Sequence, residues 1–158
     1  MKNINFLFFL LLILFLGACS KSETAQNQED TLHKILSDDV SSLNPEQVVT
    51  LYFQSWNEKQ YGIMYSLISD GFKEIEPTAK TLDDFQAYMD SFFETSSGIN
   101  ILKVKEAYQN NKDAGINYKI EIVSKDGTKK EFENAYTLKK RSDGWKLIHP
   151  YGDNIDTT

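Results

Sequence analysis

At Gly98 the hydrophobic period of this chain changes from about 3.6 residues to 2. Before that point apolar residues recur at helical spacing. Asn44 is suited to cap a helix, Pro45 to its first position, and Gln47 to the reciprocal place in a capping box. Val48, Val49, Tyr52, Phe53 and Trp56 then make one apolar stripe that ends near Lys59. A second short helix is expected over Tyr61 to Ile68, closed by Asp70-Gly71. A third begins at Thr81, with Asp84 as its capping partner. It carries Leu82, Phe85, Met89, Phe92 and Phe93 on one face and stops at Ser96-Ser97-Gly98.

Beyond Gly98 the residues alternate. Leu102, Val104, Glu106 and Tyr108 share one face of a first strand running from about Ile99 to Tyr108. Ile116, Tyr118, Ile120 and Ile122 share one face of a second. Lys125-Asp126-Gly127 is a hairpin signal. It leads to a third strand with Phe132, Asn134, Tyr136 and Leu138 on one face. Ser142-Asp143-Gly144 turns the chain into Trp145, Leu147 and His149, and Pro150 stops the ladder. Helices followed by a meander give an α+β domain, with three N-terminal helices packed on one face of a four-stranded antiparallel sheet.

The front of the chain is of another kind. Lys2 precedes an apolar run from Phe6 to Leu16, shorter than the about 20 residues a spanning helix needs and followed by small residues. This is the form of a secretory signal over residues 1–18. Leu16-Gly17-Ala18-Cys19 resembles the lipobox of bacterial lipoproteins, which implies cleavage before Cys19 and attachment of lipid to its thiol. Cys19 is the only cysteine, so its lipidation would leave no thiol for a disulfide or a thiolate metal site. Residues 19–43 read as a polar, acidic tether, residues 44–150 as the domain and residues 151–158 as a tail. The expected location is the extracytoplasmic side of a membrane, the outer membrane in a Gram-negative cell. Losing residues 1–18 would take the net charge from −6 to −7. Such a chain is not drawn to nucleic acid or to anionic headgroups.

The stretch from Pro45 to Ser69, including Trp56-Asn57-Glu58-Lys59, resembles the start of the nuclear transport factor 2-like superfamily. Thr81-Leu-Asp-Asp-Phe85 and the closing Asp143-Gly-Trp-Lys-Leu147 fit the same pattern, so the resemblance runs from about Asn44 to Pro150. It is nearest to small bacterial lipoproteins of unassigned function and to the noncatalytic N-terminal domain of some penicillin-binding proteins. The resemblance implies a cone, with a strongly curved sheet around the first helix and a mouth that binds a ligand in some members. In the enzymes of the superfamily, an Asp, Glu or His in that mouth is the acid or base.

Tyr108, Tyr118, Asn134, Tyr136 and His149 fall on inward faces and are the candidate pocket. The alternative is that the tyrosines pack and send their hydroxyls to solvent. Glu106 and His149 are the candidate catalytic residues of an isomerase, dehydratase or hydrolase. A carboxylate on the apolar face would be desolvated and its pKa raised. Glu106 has a second reading, beyond the core edge near Asn110-Asn111 and in water. His33 falls in the tether. Neither Asp38-Asp39 nor Asp83-Asp84 has further ligands at calcium-loop spacing, and no phosphate loop, catalytic triad or zinc signature is present. The expectation is a noncatalytic binding module without metal or cofactor, held to a membrane through covalent lipid. Its partner would be an envelope protein, a wall component or a small apolar ligand. The sheet's outer face carries Lys103, Lys105, Lys119, Glu121, Glu131 and Glu133, which favours a monomer.

Overall fold

Asn44 opens the first helix as its side chain type requires. Its Oδ1 accepts the Gln47 backbone N–H at 2.9 Å, and Gln47 Oε1 accepts the Asn44 N–H at 2.9 Å. In the computed structural model, which describes residues 40–150, this helix is α1, Pro45–Asn57. The expected signal, Cys19, most of the tether and the tail lie outside the described residues. Among the described residues no helix is long and apolar enough to cross a membrane.

Helix α2, Tyr61–Leu67, ends where the sequence pattern places it. The chain does not turn away there, however. Ile68 makes a parallel bridge to Leu147, and Ser69 N–H donates to the Leu147 carbonyl at 2.9 Å. Ser69 Oγ then accepts the Phe72 N–H at 3.0 Å and starts a further helix, α3, Asp70–Ile75. The Asp70-Gly71 pair expected to close α2 is thus the first turn of α3. Helix α4, Leu82–Ser91, is capped by Thr81, whose Oγ1 accepts the Asp84 N–H at 3.1 Å. The described residues therefore hold four α-helices rather than three, with short 3-10 turns at Val40–Ser42, Pro77–Ala79 and Phe92–Glu94.

The sheet is antiparallel, in the order β1 (Ser96–Gln109), β2 (Asp113–Ser124), β3 (Lys129–Arg141), β4 (Gly144–Leu147). Ser96-Ser97-Gly98, expected to end a helix, begins β1 instead. The first strand departs from simple alternation because its register shifts at Ser96/Gly98, Ile101/Lys103 and Glu106/Tyr108. Ile99 is buried, whereas Leu102, expected inside, is 46 % exposed. Strands β2 and β3 pair without a shift and keep their predicted faces. Gly127 has φ +85° and Gly144 φ +117°, so both turns use the left-handed region that glycine tolerates.

Val48, Val49, Leu51 and Phe53 from α1, Met64 and Leu67 from α2, Phe85 from α4, and Ile99, Ile116, Ile120, Leu138 and Leu147 from the sheet are all buried. Together these elements form an α+β domain with its helices against a curved antiparallel sheet.

Candidate functional site

Alternation places Tyr118 and Tyr136 on the helix-facing side of the sheet, and both stand there, half-buried. Their rings stack at 4.8 Å with 26° between planes. Phe53 approaches Tyr118 at 5.0 Å and Tyr136 at 6.0 Å, and Tyr52 meets Tyr136 edge-on at 6.0 Å. The rings pack on one another. Burial pushes the phenols of Tyr52, Tyr118 and Tyr136 above their ordinary value. Both Tyr52 and Phe53 were visible in the sequence as one stripe of α1. That the stripe fills the place where a pocket was expected is a matter of volume, and periodicity does not carry volume.

The other candidate residues are elsewhere. Asn134 is opposite Tyr118 in the ladder but exposed, and its Oδ1 accepts the Ala135 N–H at 2.8 Å. Tyr108 is 50 % exposed, and its ring lies on Gly115. A Cβ at Gly115 would come within 2.7 Å of Tyr108 Cδ1, so glycine is what admits the ring. Glu106 takes the second of its two readings. It pairs with Ile116 on the core-facing side, yet β1 is exposed from Lys105 to Gln109 and the carboxylate stands in water. It therefore lacks the burial expected of a base inside the cone.

His149 lies beyond the end of β4, not within it, and is 8 % exposed. Its ring meets Phe72 edge-on at 5.0 Å, and Nε2 is 3.4 Å from Glu76 Oε2. Glu76 also accepts from the Thr78 hydroxyl at 2.8 Å and the Thr78 N–H at 3.2 Å. These Thr78 bonds, and then His149, hold the Glu76 carboxyl below its ordinary range. His149 is thus turned to the α3 segment, and the five pocket candidates do not converge.

What does converge is a cleft of about 680 Å³ between α2, α3 and the β3–β4 turn. Gly62, Tyr65, Ser66, Ile68, Ser69 and Asp70 form part of its wall, and Lys73, Arg141, Asp143 and Lys146 bring charge to it. Lys146 Nζ donates to the Ser66 carbonyl at 2.8 Å and to Asp143 Oδ2 at 2.9 Å. The Lys146 ammonium holds the Asp143 carboxyl below its ordinary range. Lys73 Nζ lies 3.0 Å from Asp70 and 4.8 Å from the centre of the Tyr65 ring. In the sequence these residues are separated by most of the domain. Long-range pairing, the Ile68–Leu147 bridge with the Ser69–Leu147 and Lys146–Ser66 hydrogen bonds, brings them together. No group of three or more His, Cys, Asp or Glu that would hold a metal occurs among the described residues.

A search of solved structures returns the same fold. The chain superposes on a SEC-C motif-containing protein from Rhodopseudomonas palustris with a TM-score of 0.57 at 10 % identity, over 77 % of this chain and 88 % of that one. A SEC-C motif-containing protein from Psychrobacter arcticus gives 0.55 at 11 % identity, over 86 % and 76 %. A ketosteroid isomerase-like protein from Erwinia carotovora atroseptica gives 0.46 at 16 % identity, over 70 % and 92 %. No curated protein matches. A family profile described as the NTF2-like N-terminal transpeptidase domain matches residues 44–150, the whole of the helix-and-sheet unit. This chain belongs to the family of the NTF2-like N-terminal transpeptidase domain.

Proposed function

We propose that this protein is a noncatalytic binding module of the bacterial cell envelope, anchored to a membrane by lipid on Cys19. The observation that carries this reading is the packing of Tyr52, Phe53, Tyr118 and Tyr136. The space between α1 and the sheet, where a cone enzyme holds its substrate, is occupied by the protein's own rings. Glu106 stands in water and His149 is engaged by Glu76, so the two acid–base candidates do not face one substrate. The resemblance of Leu16-Gly17-Ala18-Cys19 to a lipobox supports the anchor. Two acyl chains would hold it stably. With the interior filled, partners would be met on outer surfaces and clefts.

Complementation of a deletion strain tests both halves. Chains carrying Glu106→Gln or His149→Gln are expected to restore the wild-type phenotype. A Cys19→Ser chain is expected to leave the membrane fraction, to lose labelled fatty acid and to fail to complement. A folded His149→Gln chain that fails would move the reading to catalysis. An unmodified thiol on Cys19 of the native protein would remove the anchor.

A further inference from the structure

The two edges of the sheet are finished differently. Along β1, the Asn57 and Glu46 side chains take up outward backbone groups of Ile99 and Glu106, and register shifts interrupt the line. Along β3 the edge is straight. β4 covers Leu138 to Arg141, and Ile148 N–H donates to the Thr137 carbonyl at 3.1 Å. From Lys129 to Ala135 the strand is exposed, pairs with β2 without a shift, and has no second neighbour among the described residues. In an antiparallel strand a residue presents both backbone groups to one side, and alternate residues share that side. The Thr137 carbonyl faces β4, so Lys129, Glu131, Glu133 and Ala135, which share its parity, also face outward. Lys140, of the other parity, donates its N–H to the Lys112 carbonyl at 2.7 Å, on the β2 side. Ala135 N–H is taken by the adjacent Asn134 Oδ1 at 2.8 Å, which closes the edge at one end. The open groups are those of Lys129, Glu131 and Glu133.

We propose that this edge receives a strand of a partner protein, an extended segment in which basic and apolar residues alternate. In strand addition, main-chain hydrogen bonds hold the segment and alternate side chains select it. Glu131 and Glu133 stand on the outer face of the edge. Lys119, opposite Glu133 in the ladder, bridges Glu131 at 2.6 Å instead, which leaves Glu133 without an ion pair among the described residues. A basic residue of the added strand would complete it. On the inner face Phe132 is 39 % exposed, with the Lys130 ammonium 4.8 Å from its ring centre. An apolar residue of the added strand would cover that ring. A second copy fits less well, because pairing the whole edge with itself sets Glu131 opposite Glu133, and like charges opposed across strands are destabilising. The inference gives the binding-module reading its class of partner and rests on that reading. It does not depend on the Cys19 anchor.

The test is an NMR titration of the full-length chain in a nonionic detergent at low salt, with a capped peptide of alternating lysine and valine as the probe. Saturable shifts are expected at the amide protons of Lys129, Glu131 and Glu133, and none at those of Ile99 and Glu106 on the capped edge. The same peptide methylated on its lysine backbone nitrogens keeps its charge and loses the hydrogen bonds, so it is expected to bind at least about tenfold more weakly. Glu133→Pro removes an outward N–H that β2 does not use, and is expected to weaken the unmethylated peptide to a similar extent. Glu133→Lys, which reverses the charge, serves where the circular dichroism of the proline variant is not that of the native chain. Equal binding of the methylated peptide would reduce the interaction to charge and overturn strand addition. Equal binding of a glutamate–valine peptide would overturn the basic partner. Shifts along the edge that grow with protein concentration alone would assign it to a second copy and overturn the partner chain. No shift from Lys129 to Glu133 would overturn the proposal outright, and would leave the complementation results, and with them the binding-module reading, as they stand.

Discussion

Ser55 is wholly buried in α1, and its hydroxyl has no hydrogen-bond partner among the described residues; Gln54 Oε1 beside it is in the same position. A buried hydroxyl without a partner costs about 1–3 kcal/mol of desolvation, and alanine is the better helix former. Ser55→Ala is therefore expected to raise stability by about 1 kcal/mol, read as a higher midpoint in urea with an unchanged slope. A lower midpoint would mean that Ser55 has a partner, such as an ordered water. Single residues are also where the sequence reading is most uneven. Tyr118 and Tyr136 fall on the predicted face because β2 and β3 pair without a bulge. Glu106 keeps the predicted face but not the predicted environment, because nothing covers the second half of β1. Alternation fixes direction. Burial depends on what lies above, and that comes from another element.

At the scale of elements, α1 does more than cover the sheet. β1 is an edge strand, and an unpaired edge invites pairing with other chains. Asn57, at the end of α1, donates its Nδ2 hydrogen to the Ile99 carbonyl and accepts the Ile99 N–H on Oδ1 at 2.7 Å. Its amide thus imitates a neighbouring strand. Glu46, at the start of α1, accepts the Glu106 N–H farther along the same edge. The shift between Ile101 and Lys103 changes the parity of β1, so that both Ile99 and Glu106 point backbone groups away from β2. Asn57→Asp keeps size and one acceptor but sets a carboxylate oxygen against the Ile99 carbonyl. A loss of about 2–3 kcal/mol is expected at neutral pH, with partial recovery in acid as the carboxyl regains a proton to donate. Urea unfolding at pH 7 and pH 4 measures it, and an unchanged midpoint would show that the edge needs no cap. Helix caps at Asn44 and Thr81 were legible because capping is local chemistry. Helix α3, the bulges and the role of Asn57 were not, because each is fixed by contacts distant in sequence.

At the scale of the whole molecule, charge and burial together set how stability depends on pH. Hydrogen bonds lower the carboxyls of Glu76 (from Thr78), Asp90 (from Lys59 and Tyr61), Glu121 (from Lys129 and Asn100), Asp126 (from Thr128) and Asp143 (from Lys146). A folded-state pKa below the unfolded one contributes stability above the unfolded value. That contribution disappears as pH falls through the folded value, so the acid limb lies below about pH 4. Phenols behave in the opposite sense. Burial raises Tyr52, Tyr118 and Tyr136, and burial with the Asp90 hydrogen bond raises Tyr61. Their contribution is complete below the unfolded value of about 10 and is lost as pH rises beyond it, because the unfolded chain ionises first. These carboxyls and phenols therefore add no slope between about pH 5 and pH 9. The two limbs should respond differently to salt. Three of the carboxylates that make the acid limb, Asp90, Glu121 and Asp143, are held by lysines, whose attraction added salt screens. The alkaline limb rests on the stacked rings under α1, where desolvation is the cause and salt has little access. Urea midpoints across pH, at low and high salt, test this directly. Salt is expected to flatten the acid limb alone, and Tyr136→Phe to make the alkaline limb shallower. An alkaline limb that salt removes, or that Tyr136→Phe leaves unchanged, would mean that the rings are open to water and that the interior between α1 and the sheet is available to a ligand.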